Sequence, residues 1–272
     1  MSNTSQRIIS AIVMASIVIY AIYLGIVPSL ILVSIVSIFV LDEVLVNFLN
    51  VKRYSIVYNL NYLLLVLGYY FVNFNRDGFI YFKLFNYIGI LFNIFFTYYI
   101  FLSKMESRRT LNSIKKYPIV AGIFALTFFV NLSTIIHYPK WRSYMLMLAI
   151  LVFSVDVAAW FWGKNFGKKK LWPKISPNKT QFGFFGGVIS SVIISLVFWN
   201  YLIGKPTILL SILLIFLACC AQLGDLVQSK LKRQFGIKDS SNLIPGHGGV
   251  YDRVDSILFV SPLFLLMIKI IG

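Results

Sequence analysis

The sequence predicts an all-α bundle of about nine membrane-spanning helices, and three observations carry that expectation. Hydrophobic residues make up 59% of the 272-residue chain and charged residues only 12%, against about a quarter charged in a soluble domain. The apolar residues gather in runs of about 20 residues, the length of a helix that crosses a bilayer, each bounded by charge or Pro. The Lys and Arg between these runs fall mainly on alternate loops. Helices and short loops fill the chain, so it reads as one integral membrane domain over 1–272 with no sizeable soluble part.

The first helix is expected over 8–25. Its apolar run is too long for the hydrophobic region of a signal peptide and has no small-x-small cleavage site, so it is kept as a membrane helix. The second run, 27–48, is interrupted by Asp42 and Glu43, where it either ends early or continues along the interface. Further helices are expected over 55–73, 79–103, 118–137, 142–163, 184–204, 207–228 and 251–271. Adjacent Cys219 and Cys220 have neither disulfide nor metal-ligand spacing and read as packing residues. The basic run KMESRRTLNSIKK, 104–116, has no Gly-rich or acidic partner and reads as an orientation signal that also attracts anionic lipid headgroups.

Numbering the loops alternately from the N-terminus puts 19 of the 25 Lys and Arg on one side. The other six, Arg76, Lys83, Lys140, Arg142, Lys205 and Lys269, lie on or near the opposite side. The positive-inside rule therefore sets the N-terminus and the loops 164–183 and 229–250 in the cytoplasm of a multi-pass cell (inner) membrane protein. An odd number of spans sends the C-terminus outside. The net charge of +16 is explained by membrane orientation, and no nucleic-acid partner is expected.

One polar stretch stands out, Ser229 to Asp255, SKLKRQFGIKDSSNLIPGHGGVYDRVD. Its 27 residues hold three of the nine acidic residues, five of the 25 Lys and Arg, and one of the two His. Upstream, Asp156 lies inside an apolar run, where a carboxylate costs about 2.5–3.5 kcal/mol on insertion scales and normally faces a cavity or a partner. A structural salt bridge is the plainer alternative. Gln222, Asp225, Ser229, Lys232 and Arg233 recur at three- and four-residue intervals, which stacks them on one helix face. A snorkelling helix end accounts for Lys230 and for Lys232, but not for the deeper Asp225.

Pro245-Gly246-His247-Gly248-Gly249 cannot be regular helix. Its glycines allow close approach of an anion to backbone amides, with a helix N-terminus directly after. Asp252 and Asp255 share the first turn of that helix. They either complement its dipole or join Asp225 in holding Mg²⁺, which favours carboxylates together with substrate phosphate oxygens. His247 alone is weak evidence, since a lone loop His is more often structural.

The pattern Ser229-x-Leu231-Lys232-Arg233-x4-Lys238-Asp239-x-Ser241-x2-Ile244-Pro245-x-His247-Gly248-Gly249-x2-Asp252-Arg253-x-Asp255 resembles the signature of phosphatidate cytidylyltransferases. The segment Gly163 to Thr180, GKNFGKKKLWPKISPNKT, resembles that family's other polar segment, which follows an intramembrane Asp matching Asp156; Gly224-Asp225 fits as well. One departure stands between them. Two residues after Lys179-Thr180, where the family usually carries Glu before Gly, this chain has Phe182, so no role is carried to that position.

The resemblance implies a catalytic half over 138–272, with 1–137 as helical scaffold. It implies transfer of CMP from CTP to phosphatidate, giving CDP-diacylglycerol and pyrophosphate for phospholipid synthesis, with Mg²⁺ as cofactor, as one ion or two. Asp225, Ser229, Lys232, Arg233, Asp252 and Arg253 are then catalytic. Lys179, Lys238, Asp239, His247, Gly248 and Gly249 bind substrate, and Asp225, Asp252 and Asp255 hold metal. CTP, phosphatidate and the bilayer are the expected partners; a homodimer is compatible with the sequence, which does not set the oligomeric state. Two enzymatic or transport alternatives remain: a CTP-dependent transferase for another lipid phosphate, and a transporter of anionic solutes, disfavoured by the one-sided charge and the lack of repeats. A non-catalytic scaffold is the third.

Overall fold

The computed structural model describes residues 3–75, 78–102 and 115–271. Most of the basic run 104–116 lies outside the described residues. Among the described residues nine long helices follow one another, as expected: α1 Asn3–Leu24, α2 Ile26–Glu43, α3 Ile56–Phe74, α4 Phe79–Leu102, α5 Ile119–Ile136, α6 Trp141–Phe166, α7 Gln181–Leu202, α8 Ile208–Phe235 and α9 Tyr251–Ile271. Eight are long and apolar enough to cross a membrane; the apolar part of α1, Ile9–Leu24, is shorter. The chain is a polytopic all-α membrane protein.

The helix α2 runs on past Asp42 and Glu43 through a π-helical turn, Val44–Phe48, to the end expected for the 27–48 run. Two details differ from the expected boundaries. The loop expected at 164–183 contains an antiparallel hairpin, β1 Lys170–Trp172 and β2 Ser176–Thr180, with Ile175 buried in its turn. The helix α8 continues seven residues beyond its expected end because Ser229 to Phe235 contains Lys, Leu, Arg and Gln, all good helix formers. It stops at Gly236, whose φ of 75° is the left-handed conformation that Gly adopts without penalty. There the Ile237 amide donates to the Lys232 carbonyl and the Gly236 amide to the Arg233 carbonyl, closing a Schellman cap.

The chain forms two compact units. The first comprises 1–92, 106–137 and 232–254; the second comprises 93–105, 138–231 and 255–272. In the first, α5 is the central helix, buried along nearly its whole length. Lipid supplies no hydrophobic drive between helices, so small residues and polar pairs hold them. The Gly122 amide donates to Asn61 Oδ1 of α3 at 2.9 Å, and Asn86 Nδ2 donates to Asn131 Oδ1 at 2.9 Å.

In the second unit, α6 and α7 meet through Gly183 and Gly187, which face Ala159 and the Val155 carbonyl so closely that a Cβ on either would have to displace them. Trp162 Nε1 donates to Ser190 Oγ across the same pair. Pro262 interrupts α9 and leaves the Leu258 carbonyl without its usual amide; the Ser261 hydroxyl donates to it instead at 2.9 Å. An open apolar groove of about 360 Å³ runs along the α7 and α8 surfaces, lined by Phe184, Val188, Ile189, Val192, Ile215 and Cys219 among others. Cys219 thus faces a groove and Cys220 is buried, both as free thiols, in keeping with their reading as packing residues.

Candidate active site

The first unit holds the signature loop and the N-terminal turn of α9. The Ile244 carbonyl accepts from the His247 amide at 2.9 Å and the Ile244 amide donates to the Gly248 carbonyl at 2.8 Å. Pro245 and Gly246 fill the two central turn positions, with Gly246 at φ 73°, the arrangement a type II turn requires. Gly248, at φ 82°, has no space for a side chain either, since a Cβ would lie 2.7 Å from Asp252 Oδ2. This turn returns the chain to α9 with Asp252 facing back into the loop. His247 is half-buried, its Nδ1 2.6 Å from the Ser10 hydroxyl.

Asp252 is the centre of this group. Its side chain is 4% exposed and its Oδ1 accepts from Lys232 Nζ at 2.7 Å. Oδ2 accepts from the Ser240 amide at 2.8 Å and the Gly249 amide at 3.0 Å, with the Ser240 hydroxyl at 3.0 Å. The sequence pointed to Asp252 as a metal ligand and to the Gly248-Gly249 turn as an amide cradle for an anion. In this geometry Asp252 is surrounded by donors, and the Gly249 amide is engaged with it. Arg233, Lys238, Asp239 and Arg253 are exposed and enter no ion pair among the described residues. The three cations there are available to an incoming anion.

The second unit holds another pair. Lys179 Nζ lies 2.6 Å from Asp225 Oδ2, with side chains 21% and 31% exposed, and Ser229, one turn along α8, donates to Asp225 Oδ1 at 3.3 Å. Lys179 is set by the hairpin and by Thr180, whose hydroxyl caps α7 by accepting from the Gly183 amide at 3.1 Å, a standard N-cap. Gly163 and Gly167 at the end of α6 leave room for that threonine. Gly224 packs against α9 so closely that a Cβ would lie 2.7 Å from Phe259 Cβ and 3.2 Å from Ser256 Cα. The neighbours in sequence of Gly224 and Ser256, Asp225 and Asp255, therefore sit on adjoining turns of packed helices.

Among the described residues no group of three or more His, Cys, Asp or Glu is arranged to hold a metal ion. Mg²⁺ does not need one, since it takes one or two carboxylates with water and substrate phosphate oxygens. The half-buried Asp225 and Asp255 fit that donor set, and Asp252 is the more enclosed carboxylate.

Other expected residues have structural surroundings. Gln222 is buried and donates to the Phe184 carbonyl at 2.9 Å. Asp156 is exposed on α6. The Phe182 ring, on the first turn of α7, has its centroid 5.7 Å from that of Phe166 and 6.1 Å from that of Trp162, both near the end of α6. Lys230 is 1% exposed and caps the end of α4, donating to the Tyr99 carbonyl at 2.7 Å and the Ile100 carbonyl at 3.2 Å.

The sequence reading missed Glu43. It is 3% exposed and accepts from the Ser240 and Ser241 hydroxyls and the Val250 and Tyr251 amides, all within 2.7–2.9 Å. The signal was there: a carboxylate interrupting an apolar run is the same warning that drew attention to Asp156.

The fold defines a polytopic integral membrane protein. Residues 5–271 match the Cytidylyltransferase family, and the chain belongs to it. It is similar to the phosphatidate cytidylyltransferase of Bacillus subtilis (strain 168), 44% identical over 131 residues, covering 47% of this chain and 48% of that protein. Those of Staphylococcus epidermidis (strain ATCC 12228) and Staphylococcus aureus (strain COL) are 46% identical over 126 residues and 43% over 149. Coverage is 46% of this chain and 48% of the S. epidermidis protein, and 54% and 55% for S. aureus. The matched stretch thus spans about half the length of these curated relatives.

Proposed function

We propose that this protein transfers CMP from CTP to phosphatidate, releasing pyrophosphate and forming CDP-diacylglycerol. The observation that carries the proposal is the family match over 5–271, joined to two lysine–carboxylate pairs built from the family's polar segments, Lys232–Asp252 and Lys179–Asp225. The name shared by the curated relatives supplies the lipid substrate.

In this reaction a phosphate oxygen of phosphatidate forms a bond to the α-phosphorus of CTP. The bond from that phosphorus to the bridging oxygen breaks, and its electron pair leaves with pyrophosphate. The nucleophile is already anionic near neutral pH, so charge and alignment dominate the barrier. Lys232, oriented by Asp252, and the exposed Arg233, Lys238 and Arg253 offset charge on the triphosphate and the lipid phosphate. Lys179 exchanges its carboxylate partner for a phosphate when substrate arrives. Asp225 and Asp255 would hold Mg²⁺, which supplies Lewis-acid neutralisation at the phosphates.

The site belongs on the cytoplasmic side in this reading, because the positive-inside rule assigns its loops there and CTP is water-soluble. The apolar groove beside α7 and α8 begins six residues before Asp225 in the sequence of α8, at Cys219, and suits one acyl chain of the lipid.

The test is CTP consumption by purified protein in detergent micelles, with phosphatidate or a different lipid phosphate as acceptor. Lipid-dependent turnover that favours phosphatidate supports the proposal. Absence of turnover with folded protein refutes it and returns the transport reading, for which micelles offer no gradient.

A further inference from the structure

We infer that Glu43, in the N-terminal half, is a positioning residue of the transfer site. Its buried carboxylate holds the 240–251 loop in the one shape that turns Asp252 toward Lys232. The inference rests on the proposed transfer reaction for its kinetic readout, and on the geometry alone for the rest.

Glu43 lies at the end of α2, where the helix passes into its π turn. Its oxygens have two acceptor sites each, and four donors meet them. Ser241 Oγ and the Val250 amide donate to Oε1 at 2.7 and 2.8 Å. The Ser240 hydroxyl and the Tyr251 amide face Oε2 at 2.8 and 2.9 Å. All four donors are neutral, and two belong to the start of α9, where the helix dipole favours a negative group. The protein's own carboxylate therefore fills the anion position that this helix start offers.

A buried carboxylate is a costly way to fasten a loop, since desolvation costs several kcal/mol per ion and apolar packing often does as well. What the carboxylate adds is directional demand. Ser240 sits between two acids: its hydroxyl is 2.8 Å from Glu43 and 3.0 Å from Asp252, and its amide donates to Asp252 at 2.8 Å. One hydroxyl proton cannot serve both at once, so the two carboxylates share it. Asn47, one turn beyond Glu43, donates to the Ser240 carbonyl at 2.6 Å. Gly249 completes the arrangement, because a Cβ there would overlap the Ser240 hydroxyl and the Glu43 carboxylate.

Glu43→Gln keeps the length of the side chain but sets an NH₂ group against donors. Two of those donors are backbone amides that cannot reverse. The purified full-length variant is compared with the parent protein for kcat, KM for CTP, melting temperature and amide exchange. Loss of alignment lowers kcat by about tenfold or more while KM changes by less than about threefold. Exchange accelerates at Val250 and Tyr251 and stays protected in α3 and α5. Glu43→Asp, which keeps the charge, recovers part of the lost kcat. If Glu43→Gln does not fold, Asn47→Ala is measured in its place, with the same direction and a smaller effect.

A folded Glu43→Gln protein with parental kcat and KM overturns the inference. So does a loss of activity that follows the folded fraction alone, with Glu43→Asp no better than Glu43→Gln. If the parent protein makes no CDP-diacylglycerol, the transfer reading fails by itself. Exchange at Val250 and Tyr251 then decides the loop-holding role, and unchanged exchange overturns it.

Discussion

Lys179 and Asp225, 46 positions apart in sequence, face each other at 2.6 Å. The lysine ends a hairpin and the aspartate lies on α8 seven residues before Lys232. The two charges neutralise each other, and in the proposed reaction each takes a different partner when phosphates arrive. Asp225→Asn is expected to lower kcat by about 100-fold or more, a loss of the size seen when a preorganised electrostatic group is removed. Lys179→Met is expected mainly to raise KM for CTP. Initial-rate kinetics on both proteins check the split, and equal effects on kcat would contradict it.

Lys232 and Asp252 form the more enclosed pair, with side chains 14% and 4% exposed. Their roles are not interchangeable, because Asp252 also accepts from the Ser240 and Gly249 amides. A charge swap, Lys232→Asp with Asp252→Lys, restores the attraction but sets an ammonium against two backbone donors. The double variant is expected to be no more active than Asp252→Asn. Its stability should fall by about 1–3 kcal/mol, the cost of leaving buried donors without an acceptor. Thermal unfolding in detergent and product assays on the three proteins test this.

Not every lysine of the 229–255 stretch has a place in the proposed chemistry. Lys230 donates to the Tyr99 and Ile100 carbonyls at the end of α4 and is 1% exposed. Lys230→Met should lower stability by about 1–3 kcal/mol, the cost of leaving buried acceptors unpaired. Activity per folded molecule should stay at the parental level. A fall in kcat at unchanged melting temperature would contradict this.

The apolar groove along α7 and α8 gives an acyl-chain prediction. Ile189 lines it and is 61% exposed, so Ile189→Trp fills the groove without disturbing the core. The preference for long-chain over short-chain phosphatidate, read as a ratio of kcat/KM values, should fall about tenfold, the scale of apolar pocket discrimination. An unchanged ratio would remove the groove from the account.

Much of the fold was legible because the bilayer imposes a length on every apolar run, and the helices follow those runs. The turn at Pro245-Gly246 was legible too, since only a few residue types adopt its conformation. The hairpin at 170–180 was not, because its eight-residue core reads as loop from charge and Pro alone. Glu43 was visible as a carboxylate in an apolar run, but its partners were not. Its meaning depends on Ser240, Ser241, Val250 and Tyr251, about 200 positions away, and no local spacing records such a contact. Asp252 was found by its position on the first turn of α9, but its contacts with Lys232, Ser240 and Gly249 arise from the folded loop and no local spacing records them.

The proposed reaction exchanges bonds at the α-phosphorus of CTP, and labelled nucleotide reads that exchange directly. Purified protein is incubated with Mg²⁺, phosphatidate and CTP labelled either at the α- or at the γ-phosphate, with Asp225→Asn in parallel. The account predicts α-label in the lipid extract and γ-label in pyrophosphate, in equal amounts, and neither above background in the variant. Gamma-label in the lipid, release of single phosphate, or no lipid label at all from folded protein would contradict it.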